Sequence, residues 1–79
     1  MKNVKILGSG CANCKRLEQN VRNVAAKHNL QLEIEKVTDY AEIMKWNILS
    51  TPGLVVDGKL VSAGILPNDQ RLLEMLNQA

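Results

Sequence analysis

The sequence predicts an α/β domain: a four-stranded mixed sheet with helices on both faces, in the order β-α-β-α-β-β-α. Three observations carry that expectation. Apolar residues repeat at helical spacing in some stretches and alternate with period two in others. Asp57-Gly58 sits as a hairpin turn between two apolar runs. The first β-α-β stretch is long enough for a right-handed parallel crossover, after which the hairpin adds an antiparallel pair.

The elements follow in order. Val4, Ile6 and Leu7 form an apolar run that stops at Gly8-Ser9-Gly10, which reads as a buried strand entering a loop. From Cys11 the period changes. Leu17, Val21, Val24, Ala25 and His28 fall on one helical stripe, with Lys15, Glu18, Arg22 and Lys27 mostly off it, and Asn29 is the expected stop. Leu30, Leu32 and Ile34 alternate with Gln31, Glu33 and Glu35, the pattern of a strand with one buried face near a sheet edge. Asp39 caps an expected second helix reaching about Trp46, with Ala41, Ile43 and Met44 as its apolar surface; Met44, like Met75, reads as core. Thr51-Pro52-Gly53 breaks that helix. Leu54 to Val56 and Leu60 to Ala63 are the hairpin strands. Pro67 and Asn68 open a final helix carrying Leu72, Leu73 and Leu76, with Asn68 as its cap.

Seventy-nine residues suffice for one domain, expected over residues 1–79. With one Trp, one Tyr and no Phe, its core must be aliphatic. The net charge of +2 is spread along the chain, and no basic run exceeds Lys15-Arg16. That argues against nucleic-acid binding, which neutralises several phosphates at once. No apolar stretch approaches the length of a membrane span, and no export signal is visible, so a cytoplasmic monomer is the expectation.

Cys11 and Cys14 are too few for a disulfide scaffold. A bridge between them closes a four-residue ring, contributing roughly 2 kcal/mol against about 3 for a fifteen-residue loop. The pair is a poor staple, and chemistry explains it better. Cys11-Ala12-Asn13-Cys14 falls where the first strand ends and the first helix begins. Three-residue spacing on a helical turn puts the side chains about 5–6 Å apart, within disulfide range. Free N–H groups and the helix dipole favour a thiolate there, and Lys15 and Arg16 add positive charge. Cys11, at the exposed edge, is the expected nucleophile. Cys14, one turn in, is the expected resolving thiol, and Gly8 and Gly10 leave room for a substrate to reach the sulfur. The alternative is a soft-metal carrier holding copper or zinc on the same pair. Copper-chaperone domains also place C-x-x-C after a first strand, but their order is β-α-β-β-α-β and they usually have Met where this chain has Ser9. A zinc site would need two more ligands, which His28 alone does not supply.

The segments Ser9-Gly10-Cys11-x-x-Cys14 and Ser50-Thr51-Pro52, the latter ahead of an apolar strand and Asp57-Gly58, resemble the thioredoxin/glutaredoxin superfamily over nearly the whole chain. They look most like its very small bacterial and archaeal members, described as redox-active disulfide proteins. The resemblance implies a thioredoxin-like fold and a thiol–disulfide oxidoreductase with no cofactor beyond the Cys11–Cys14 disulfide. It further implies a cis Thr51–Pro52 peptide facing the cysteines. Pro52 then keeps metals off the thiols, and the backbone of Thr51 pairs with a protein or small-molecule disulfide substrate. A flavin-dependent, thioredoxin-reductase-like donor would restore the dithiol.

This chain departs from the family pattern at several positions. Gly10 stands where thioredoxins have Trp. Lys5 stands where they carry a buried acid that helps deprotonate the resolving thiol, which leaves the proton acceptor for Cys14 unassigned. Ala63-Gly64 with a distant Asp69 replaces the glutaredoxin Gly-Gly-Asp segment, which argues against glutathione as reductant. The Ala12-Asn13 dipeptide, without proline, is expected to tune the potential. Two other residues draw notice. His28, roughly 25 Å along the helix, reads as a capping or partly packed residue. Trp46 reads as helix-to-sheet packing, with a place beneath a substrate groove as the other option.

Overall fold

Residues Lys2–Leu7 (β1) lie at the middle of the sheet, because their apolar members must be covered on both sides. The computed structural model describes residues 2–78. Met1 and Ala79, the ends of the expected 1–79 domain, lie outside the described residues. β1 pairs in parallel with Leu32–Val37 (β2) and antiparallel with Gly53–Val56 (β3), and β3 pairs antiparallel with Lys59–Ala63 (β4). The strand order is β2-β1-β3-β4. Helices Ala12–Lys27 (α1), Tyr40–Met44 (α2) and Asp69–Gln78 (α3) complete the predicted order.

Each face of the sheet carries its own core. On one, Val4, Ile6, Leu54 and Val56 meet Leu17, Val21 and Val24 of α1 and Leu72, Met75 and Leu76 of α3. On the other, Leu7 and Val55 meet Ile43 and Ile48, with Trp46 and Val37 at the margin. β2 is an edge strand, as its alternation predicts, and only half-buried.

The details differ from expectation where local hydrogen bonds compete. Asn29, at φ 54°, ends α1, and the N–H groups of Asn29 and Leu30 donate to Ala26 and Ala25. This 6→1, 5→2 pairing is a Schellman cap, so Leu30 belongs to the turn and β2 starts at Leu32. His28 is the exposed C-cap of α1, as the capping reading expects.

Asp39 caps α2 as expected, its Oδ1 accepting from the N–H of Ala41 at 2.9 Å. The helix nevertheless ends at Met44. Tight turns through Lys45, Trp46 and Asn47, each N–H donating three residues back, replace its last turn. Met44 is therefore 44% exposed rather than core, and Ala41 is exposed too, leaving Ile43 and Ile48 to face the sheet. Asp57 and Gly58 both have positive φ (49° and 82°), the requirement of a type I′ hairpin turn. Asn68 caps α3, its Oδ1 accepting from Arg71 N–H at 2.9 Å.

Candidate active site

At the end of β1, Gly8 N–H donates to Val37 O at 3.0 Å, which ties the strand's exit to the edge strand. The chain then turns through Ser9 and Gly10, the latter at φ 90°, into the N-cap of α1. Cys11 is that N-cap. Its extended backbone lets Sγ accept the N–H of Cys14 at 3.1 Å, one of the amides a helix start leaves unpaired.

Cys11 and Cys14 are joined as a disulfide, with Cα atoms 5.0 Å apart. Their environments differ sharply. Cys11 is exposed, whereas Cys14 is only 5% accessible and adjoins the α1 core stripe. Ala12 and Asn13 between them are exposed, as is Lys15. The first turn of α1 holds no acidic residue, so dipole, amide and Lys15 all favour negative charge on sulfur there.

Gly8 has a different purpose from the substrate access that sequence alone suggests. A Cβ at Gly8 would lie 2.2 Å from Cys14 Sγ, so the missing side chain makes room for the inner sulfur itself. At Gly10 a Cβ would meet nothing within 4 Å, and there the demand for glycine comes from the backbone angle.

The Thr51–Pro52 peptide is cis, as the resemblance implies. Thr51 is exposed, and its Cβ lies 3.8 Å from the same Cβ position at Gly8, so Thr51 and Cys14 converge there. Pro52 is fully buried, and its carbonyl accepts Gly64 N–H at 2.8 Å. Gly64, at φ 76°, leaves the space that Ser50 Oγ occupies; a Cβ would come within 2.1 Å of it. The end of β4 thus grips the Ser50–Pro52 loop from behind.

Two concavities flank this rim, and a third lies on the α2 face. A cleft of about 90 Å³ runs beside Cys14, between α1 and β2. A second, of about 290 Å³, is lined by Ser9, Tyr40, Met44, Leu49 and Thr51. Trp46 lies in the third, on the α2 face with Lys5 and Lys45, which neither cysteine lines; it packs on the sheet rather than beneath the disulfide. In that groove Glu42, 2.6 Å from Lys45, accepts its hydrogen bond and raises the pKa of the ammonium. Among the described residues, no group of three or more His, Cys, Asp or Glu is gathered as a metal site.

A thioredoxin-domain family model matches residues 2–77. The chain belongs to the thioredoxin family. It is 32% identical to a thioredoxin of Methanothermobacter thermautotrophicus over 98% of this chain and 100% of that one. To a thioredoxin of Methanocaldococcus jannaschii it is 34% identical, over 92% of this chain and 84% of that one. Among solved structures it is similar in fold to oxidised thioredoxin from Plasmodium falciparum, with TM-score 0.63 and 22% identity. That match covers 98% of this chain and 79% of the other. The germline thioredoxin Deadhead of Drosophila melanogaster gives TM-score 0.65 at 18% identity, covering 95% and 77%.

This member of the thioredoxin family is a thiol–disulfide oxidoreductase, with its two cysteines already at bonding distance in C-x-x-C spacing. Two features of the site escape sequence reading. The packing of Gly8 on Cys14 has no local signature. Glu18 lies four residues beyond Cys14, a spacing that could have flagged it.

Proposed function

We propose that this chain acts as a single domain over residues 1–79, with Cys11 as nucleophile and Cys14 as resolving thiol, reducing protein or small-molecule disulfides. Cys11 attacks a substrate disulfide and forms a mixed disulfide; Cys14 then attacks Cys11 and releases the reduced product. The difference in burial carries the reading, since one sulfur can meet a substrate while the other can meet only its partner. Thr51 and Pro52 form the substrate-binding edge. Gly10, Ala12, Asn13 and Lys15 support it by shaping and charging the approach to Cys11. A substrate chain extending past Thr51 finds the apolar side chains of Tyr40, Met44 and Leu49 next to it. The dithiol needs no metal and no other cofactor. A flavin-dependent, thioredoxin-reductase-like enzyme restores it, and the protein works as a cytoplasmic monomer.

Cys14→Ser should trap a covalent substrate complex through Cys11, visible as a mixed disulfide on a non-reducing gel, while Cys11→Ser should trap none. The reverse pattern would exchange the two roles. Reduction of the oxidised protein by thioredoxin reductase with NADPH, and not by glutathione, would support the donor assignment; preferential reduction by glutathione would overturn it.

A further inference from the structure

The resolving step needs somewhere to put a proton. Thiolate is the attacking species, burial disfavours it, and Cys14 is buried. Lys5 offers no help, because it lies on the opposite face of the sheet, paired with Glu35 at 2.9 Å.

The cleft of about 90 Å³ beside Cys14 is lined by Gly8, Lys15, Glu18, Lys36 and Thr38, among others. It has room for a water molecule. Glu18 is the one carboxylate among its lining residues; the remaining charged groups there are Lys15 on the same helix and Lys36 from β2. Four residues apart on α1, Cys14 and Glu18 share a helix face, with Cβ atoms roughly 6 Å apart.

Glu18 is held in place, its side chain only 20% exposed. Oε2 accepts from Nε of Arg22 at 3.0 Å and faces Nη2 of the same residue at 3.0 Å. Oε1 has Lys36 Nζ at 3.6 Å, too long for a direct hydrogen bond. Arg22 thus holds Oε2, while Oε1 lies nearest Lys36, a residue that also lines the cleft.

We infer that Glu18, which lines this cleft with Cys14, receives the Cys14 proton during resolution, through a water. This deepens the proposed function and rests on Cys14 being the resolving thiol. In the mixed disulfide, Cys11 Sγ is bonded to a substrate sulfur and Cys14 is a thiol. The Cys14 proton passes to Oε1 as its sulfur bonds to Cys11. The Cys11–substrate bond breaks, and the substrate sulfur departs as a thiolate with that electron pair. Glu18 then returns the proton to solvent or to the departing thiolate. The dithiol is oxidised by two electrons and the substrate disulfide is reduced. Glu18 acts on Cys14 as a general base through the water and does not touch the substrate.

A symmetrical aromatic disulfide whose thiolate is coloured separates the two steps in stopped flow. Attack by Cys11 releases one thiolate at a rate proportional to reagent, and resolution by Cys14 releases a second at a rate independent of it. Such a thiolate leaves unprotonated, so the pH profile of the second phase reports deprotonation of Cys14. Glu18→Gln should slow that phase by about a hundred-fold at pH 7, the low end of general-base contributions. The gap should narrow as pH rises and the thiol ionises unaided. The first phase should be unchanged, and Glu18→Asp should recover part of the rate. A wild-type second phase in Glu18→Gln overturns the inference, as does a deficit that stays the same at every pH. Cys14→Ser is the check on the underlying roles: a single coloured thiolate per chain upholds them whatever Glu18 does, and two would refute them.

Discussion

The two faces of the sheet are built to different depths. Under α1 and α3, ten buried side chains form one continuous cluster, and Cys14 is buried on the same helix that supplies Leu17, Val21 and Val24 to it. Under α2, four suffice, and the helix is five residues long. The thick face gives the inner sulfur a rigid address. The thin face leaves Tyr40, Met44 and Leu49 in solvent beside Thr51, where an apolar surface can serve a partner instead of a core. A redox protein of this size needs both, because the sulfurs must meet to a fraction of an ångström while substrates vary.

Truncations on the two faces test that contrast most severely. Leu17→Ala should cost about 4 kcal/mol, because the close-packed cluster around it cannot collapse into the cavity. For a domain this small that lowers the thermal midpoint by more than about 10 °C. Ile43→Ala, on the thin side, should cost about 2 kcal/mol, since nearby exposed groups can shift inward. Equal losses in denaturant titrations would break the comparison.

Gly8→Ala should be next in size, at about 1–3 kcal/mol, because the added methyl collides with Cys14 Sγ and not with the tip of a flexible side chain. The oxidised protein should also lose turnover, as the inner sulfur is pushed from its place. An alanine variant with wild-type stability and turnover would show that the strand exit gives way freely.

The smallest effect on folding belongs to Leu49→Ser. Leu49 is 102% exposed, so its stability change should stay within about 0.5 kcal/mol. Its KM for a protein disulfide should nevertheless rise several-fold, matching about 1 kcal/mol of lost apolar contact, with small disulfides unaffected. Unchanged KM for the protein substrate would remove Leu49 from the docking surface and sharpen the contrast to one of packing alone.

Much of this was legible from the chain. Period-two alternation marks β2, helical stripes mark α1 and α3, and short apolar runs bounded by turn residues mark β1, β3 and β4. Asp39, Asn68 and Asp57-Gly58 marked their own boundaries, because caps and type I′ turns depend on the residue's own geometry. The C-x-x-C spacing placed both sulfurs on one helical turn. Where expectation failed, the deciding partner was elsewhere. The Schellman cap took Leu30 from β2, and tight turns after Met44 shortened α2 and turned Met44 outward.

The chain alone therefore determined the order of its elements, the pairing of Cys11 with Cys14 and the polarity of the helix tip, all products of spacing along a few residues. Only the tertiary structure decided that Gly8 yields its space to Cys14, that Gly64 and Ser50 brace the cis-proline loop, and that Glu18 and Lys36 meet across a cleft. Those contacts join different elements, six to eighteen residues apart, and their identity depends on how the helices settle on the sheet, which no local pattern encodes.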